Sequence, residues 1–110
     1  MNYTQITDER SDATASYEVK IDKNMTVKDL TEMIVRESTD RFGVIKVFNG
    51  SAHSFGIGKC TEAELAYRDG KLTGGIGYST AQGRKVTKVI ANGEWGRLDY
   101  YVSTEESDEV

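Results

Sequence analysis

Three side chains have types that could perform nucleophilic or acid–base chemistry: His53, Cys60 and Asp99. A thiol acts as a nucleophile when an imidazole lies within hydrogen-bond reach and a third group orients the ring. Cys60 has neither a glycine-framed strand-to-helix turn nor a helix N-terminus beside it. His53 shares a predicted strand face with Phe55 and Ile57, where it is expected to pack. We therefore assign no catalytic residue and keep an enzyme using His53 with Cys60 or Asp99 as the third hypothesis.

Two glycine-rich segments are candidates for phosphate or dinucleotide binding. A P-loop needs a glycine five residues before its Gly-Lys pair and a Ser or Thr after it, but His53 and Cys60 occupy those positions. The run at 74–83 has Thr80 where a dinucleotide fingerprint requires its third glycine. One His and one Cys cannot form a tetrahedral zinc site, and no carboxylates have the spacing of a calcium loop. We predict no cofactor and no metal, and we interpret 74–83 as a bulged connection or a mobile binding loop.

Aromatic and cationic residues near the end of the chain are the best candidates for contact with a partner. Trp, Tyr and Arg are enriched in binding hot spots, and Trp95, Arg97 and Tyr101 are close in sequence. Tyr78 and Arg84 could add contacts from the glycine-rich loop. The alternative for Trp95 is a packing lid over its own hairpin. The last hairpin could also form an open sheet edge to which a partner strand adds.

The elements that position these residues are marked by three dipeptides: Asn49-Gly50, Asp69-Gly70 and Asn92-Gly93. A two-residue type I′ turn needs positive φ at both central residues, which Asn, Asp and Gly reach at low cost. The runs between them, including one at 52–58, have the composition of strands. Residues 42–104 are therefore predicted to form an antiparallel meander.

One helix is predicted over about residues 26–38. Thr26 is a favourable N-cap, and Asp29 three residues later resembles the second half of a capping box. Met25 and Leu30 have the spacing of a hydrophobic staple. The apolar stripe of this helix must be buried, and a sheet is the only partner that the sequence offers.

Together these elements predict an α+β fold. A single helix packs on a strongly curved, mainly antiparallel sheet of five to seven strands, in the chain order β-α-β-β-β-β-β. Residues 15–104 are predicted to form one domain. Residues 1–14 are expected to be loosely ordered, with room for a short strand around Tyr3 and Ile6, and residues 105–110 to form an acidic flexible tail.

Composition narrows the function classes. The 110 residues carry a formal net charge of −4, and the sequence pI is about 5.0. This balance disfavours binding to nucleic acid or to an anionic membrane. A single cysteine allows no internal disulfide, and neither a signal peptide nor a membrane-spanning run is visible, so a cytoplasmic location is expected.

The leading hypothesis is a small, soluble, non-enzymatic binding or adaptor module that acts by protein contact. A homodimer through an edge strand is one form that such contact could take. The alternative is a small-ligand carrier with a pocket between the helix and the curved sheet.

Overall fold

A seven-stranded sheet with helices on one face forms the computed structural model of this protein. The structure describes residues 3–7, 15–50, 61–94 and 97–105. The strands are β1 (Tyr3–Thr7), β2 (Ala15–Val19), β3 (Phe42–Phe48), β4 (Thr61–Arg68), β5 (Lys71–Ile76), β6 (Val86–Glu94) and β7 (Arg97–Thr104), and the helices are α1 (Val27–Arg36) and the single-turn α2 (Tyr78–Ala81). The predicted α+β class, with one main helix on a mostly antiparallel sheet, is confirmed. Strand β1 lies in the segment that was expected to be loosely ordered.

Helix α1 begins where the sequence predicts. Thr26 Oγ1 accepts a hydrogen bond from the Asp29 amide, and the Asp29 carboxylate accepts one from the Thr26 amide, both at 3.2 Å. This reciprocal pair is a capping box, which satisfies amides that have no partner within the helix. Two further first-turn amides donate to main-chain carbonyls of the connection between α2 and β6, at 3.0 and 2.9 Å. The start of α1 is therefore docked on that connection, while Leu30 and Ile34 are buried.

The strand order is β1-β2-β6-β7-β3-β4-β5. The sheet is open, and β1 and β5 are its edges within the described residues. Neighbouring strands are antiparallel except β3 and β7, which pair in parallel. Strands β2 and β3 are consequently parallel to each other, and α1 connects them across the β6–β7 hairpin that lies between. The predicted meander therefore holds within β3–β4–β5 and within β6–β7, but it is wrong between β5 and β6.

The three predicted turns have different outcomes. Asp69 and Gly70 have φ of 45° and 81° and join β4 to β5, as predicted. A turn at Asn92-Gly93 is wrong, because both residues pair within the β6–β7 ladder, which continues to Glu94 opposite Arg97. Strand β3 has β4 on one side and β7 on the other. A strand directly after Asn49-Gly50 therefore has no free side of β3 with which to form the predicted hairpin. The strand predicted at 52–58 lies outside the described residues.

The core lies between one face of the sheet and the apolar stripe of α1. Burial alternates along the strands, as expected where one face is covered. In β3 the side chains of Ile45 and Val47 are fully buried, and their neighbours in β7 are Tyr100 and Val102. The opposite face carries most of the partly exposed side chains of β3 and β7, including Phe42 and Tyr101.

Candidate functional site

Strand β5 forms an edge of the sheet and is exposed along its whole length. No described strand lies beyond it, so main-chain donors and acceptors on its outer side can pair with a further strand. Leu72 and Ile76 on this strand keep 43% and 73% of their surface exposed. The one charge on the strand is Lys71, and a register shift leaves Thr73 unpaired with β4. A lysine and a register shift are two of the devices that limit non-specific pairing at an open edge, and Leu72 and Ile76 remain exposed beside them.

An open groove of about 750 Å³ lies between β5 and α1. Its apolar surface comes from Leu72 on β5, Val35 on α1 and Tyr78 at the start of α2. The register with β4 places Leu72 on the helix side of the sheet and Ile76 on the opposite side. Because successive side chains of a strand point to opposite faces, every second residue of an added strand would lie over the groove.

Charged residues frame the groove: Lys28, Glu32 and Arg36 on α1, and Lys71 on β5. Lys28 Nζ lies 3.2 Å from Glu32 Oε2, and this hydrogen bond raises the pKa of Lys28. Within the described ranges, neither Arg36 nor Lys71 has a carboxylate at ion-pair distance. Burial raises the pKa of the Tyr78 hydroxyl, and the Glu32 carboxylate raises it further. The groove is thus locally positive in a chain whose net charge is −4.

Arg97 and Tyr101 lie on the other face, in the middle of the sheet. Arg97 Nε lies 3.0 Å from each carboxylate oxygen of Asp99, and its guanidinium carbon is 5.9 Å from the centre of the Phe42 ring. Tyr101 stacks on Phe48 with 6.4 Å between ring centres. Strand β7 is flanked by β6 and β3, so the suggestion that the last hairpin forms an open edge is wrong.

The Arg84 side chain forms hydrogen bonds and an ion pair with other residues of the fold. Its Nη2 donates to Asn49 Oδ1 at 2.6 Å, and its Nε lies 3.3 Å from Thr104 Oγ1 and 2.9 Å from Glu62 Oε1. These contacts connect the end of β7 with the start of β4 and the residue after β3. The Arg84 side chain therefore stabilises the junction of three strands.

The predicted binding residues do not share one surface. Tyr78 lines the groove, Arg97 and Tyr101 lie on the opposite sheet face, Arg84 lies at the strand ends, and Trp95 is outside the described residues. Sequence reasoning missed Leu72, Ile76, Val35 and Arg36. The sequence does show apolar residues in β5. Their exposure follows from the position of β5 in the strand order, which their neighbours in sequence do not determine.

The acid–base candidates are not brought together by the described structure. His53 and Cys60 lie outside the described residues. The carboxylate of Asp99 accepts hydrogen bonds from Arg97 and from the Val44 amide, the latter at 3.0 Å. Asp99 therefore has a clear structural role between β3 and β7.

The described ranges contain no group of three or more His, Cys, Asp or Glu side chains that could hold a metal ion. No helix among the same residues has the length and apolar character needed to cross a membrane. Comparison with protein-family models, with curated proteins and with solved structures found no match to this chain.

Proposed function

We propose that this protein is a small, non-enzymatic binding module that takes an extended segment of a protein partner on the β5 edge. The observation that supports this proposal is an edge strand exposed along its length, with Leu72 and Ile76 left uncovered. In strand addition, main-chain hydrogen bonds supply affinity and pockets for alternate side chains supply specificity. Strand β5 offers the hydrogen bonds, and the groove beside α1 offers the pocket.

Exposed hydrophobic side chains on an edge strand are costly unless something binds them, because such edges promote unwanted pairing. Serine at position 72 or 76 would reduce this unwanted pairing without disturbing the buried core. A second copy of the chain could pair through the same edge, which would make a homodimer. The single cysteine, which leaves no internal disulfide, suits a soluble protein of the reducing cytoplasm.

Selection from a library of random twelve-residue peptides tests the proposal without a known partner. The selected peptides are synthesised with a fluorescent label, and their affinity is measured by polarisation. Leu72→Ser with Ile76→Ser should weaken binding by more than about tenfold, because truncated hot-spot contacts cost more than about 1 kcal/mol each. Tyr101→Ser, on the opposite face, is the matched control and should leave the affinity unchanged. Circular dichroism verifies that each variant is folded.

Amide hydrogen exchange gives the second readout. A peptide that extends the sheet should slow exchange of outward-facing amides in β5, because these amides become hydrogen-bonded. Peptides that lose affinity in Tyr101→Ser but not in the β5 variant would contradict the proposal and move the binding surface to the face of Arg97 and Tyr101. A concentration-dependent dimer that the β5 substitutions abolish would identify a second copy as the occupant.

A small-ligand carrier is the second candidate, and the groove volume favours it. Ligand sites commonly enclose about 300–1,000 Å³, and the groove has about 750 Å³. A bound metabolite would raise the unfolding temperature in proportion to the logarithm of its concentration. A thermal-shift screen in which a metabolite stabilises the wild type but not Leu72→Ser would favour this candidate over peptide binding.

A further inference from the structure

We propose that the segment bound along β5 is acidic as well as apolar, and that Arg36 and Lys71 contact its carboxylates. This inference rests on the proposed function and names the chemistry of the partner. It follows from the charges around the groove and from the sides of the sheet on which they lie.

The charges beside β5 are only partly paired. Within the described ranges Glu32 is the one carboxylate that lines the groove, and its Oε2 is bound by Lys28 Nζ at 3.2 Å. Arg36 on the helix wall and Lys71 on the strand have no carboxylate at ion-pair distance in the described part of the chain. Both are exposed, so neither charge needs to be desolvated before a ligand arrives. A basic segment would be repelled by both cations.

A strand added to β5 would direct alternate side chains to opposite faces of the sheet. The register with β4 places Lys71 on the sheet face opposite α1, whereas Leu72 faces the helix side. Lys71 would thus lie beside a partner residue on one face, while the next partner residue enters the groove near Leu72 and Val35. An apolar residue fits over that surface. A carboxylate farther along the same row would be directed toward Arg36 on the helix.

The experiment repeats the peptide selection on wild type and on a variant with Arg36→Gln and Lys71→Gln. Peptides from the wild-type selection should be enriched in Asp and Glu, and those from the variant should not. Replacing the carboxylates of a selected peptide by Gln and Asn should weaken its binding to wild type by about fivefold, a middle value for two exposed ion pairs. The same replacement should have no effect on binding to the double variant. Lys88→Gln, which removes one exposed cation from β6, is the matched control.

Three outcomes would each overturn a proposal, and they are distinguishable. Peptides that require Leu72 and Ile76 but bind equally well with Gln and Asn would overturn the acidic preference and leave the proposed function intact. Peptides that bind independently of Leu72 and Ile76 would overturn the proposed function itself. An affinity for acidic peptides that falls equally in Lys88→Gln would show long-range attraction instead of contact with Arg36 and Lys71, and would also overturn the inference.

Discussion

Gly43 and Gly74 both lie within strands, yet their surroundings differ completely. A Cβ on Gly43, in the middle of the sheet, would overlap the main-chain carbonyl oxygen of Leu98 and lie 2.7 Å from its carbon. A Cβ on Gly74, in edge strand β5, would meet no atom within 4 Å. The centre of this sheet therefore depends on a close backbone approach between β3 and β7, whereas the sheet face at Gly74 in β5 is open.

Further interactions stabilise the same central junction. The Tyr67 hydroxyl donates to the Leu98 carbonyl oxygen at 2.6 Å, and the Val44 amide donates to Asp99 Oδ1 at 3.0 Å. Both bonds use side chains where β3 and β7 run in parallel next to the glycine. Close contacts between main chain and side chains thus gather at the β3–β7 junction, and position 74 of β5 has none.

The largest effect is expected for Gly43→Ala. The added methyl group cannot be accommodated by a side-chain rotation, because the atoms that it meets belong to the Leu98 backbone. We expect the free energy of unfolding to fall by about 3 kcal/mol, at the upper end for overpacking, as measured by urea denaturation. Gly83→Ala is the control, since a Cβ there meets no atom within 4 Å. Equal stability of the two variants would contradict the close approach of β3 and β7.

Tyr67→Phe should have the next largest effect. The substitution removes the hydroxyl and leaves the Leu98 carbonyl without that donor in a buried site, where Tyr67 is 2% exposed. The expected loss is about 1–2 kcal/mol of unfolding free energy. Tyr101→Phe, on the half-buried opposite face, should change stability by less than about 0.5 kcal/mol. A larger loss in Tyr101→Phe than in Tyr67→Phe would break the contrast.

Gly74→Ala tests the other side of the comparison. Alanine restricts the unfolded chain more than glycine does, and nothing in the folded state opposes its methyl group. We expect the unfolding free energy to stay the same or rise by up to about 0.5 kcal/mol. A loss of more than 1 kcal/mol in the same urea titration would show that the β5 edge is as tightly constrained as the centre.

The smallest expected effect concerns alkaline pH and Tyr78. Burial raises the pKa of this hydroxyl in the folded state above its ordinary value of 10.0. The associated stabilisation is fully present below pH 10.0 and is lost as the pH rises through the raised folded-state pKa. The stability of wild type relative to Tyr78→Phe should therefore fall over the pH range above 10.0. A difference that is flat over this range in thermal unfolding would show that Tyr78 is solvated like a free tyrosine.

Features that depend on a few neighbouring residues could be predicted from the sequence. The capping box of Thr26 and Asp29 and the turn at Asp69-Gly70 both form as expected, because each is determined within four residues. Asn92-Gly93 has the same turn composition but lies inside a ladder. Asn92 pairs with Asp99, and Gly93 pairs with Leu98. The packing of β7 in the sheet determines this register and overrides the local preference for a turn.

The candidate site was harder to predict because it is defined by strand order. The sequence predicts a contact role for Tyr78, and Tyr78 lines the groove. The exposure of Leu72 and Ile76 arises because β5 is the last strand of the described sheet, next to β4 alone. The parallel pairing of β3 with β7 joins residues more than 50 positions apart, and no short motif encodes it.

The central position of β7 also has a consequence for folding during synthesis. Among the seven described strands β7 is synthesised after the other six, yet it is the fourth in the sheet, where it joins β1, β2 and β6 on one side to β3, β4 and β5 on the other. The earlier strands can form hairpins as they emerge, but the two halves cannot unite until β7 has left the exit tunnel. Long-range pairing of this kind slows folding and leaves unpaired strands exposed meanwhile. Until β7 is available, the sides of β6 and β3 that it covers in the folded sheet therefore stay open.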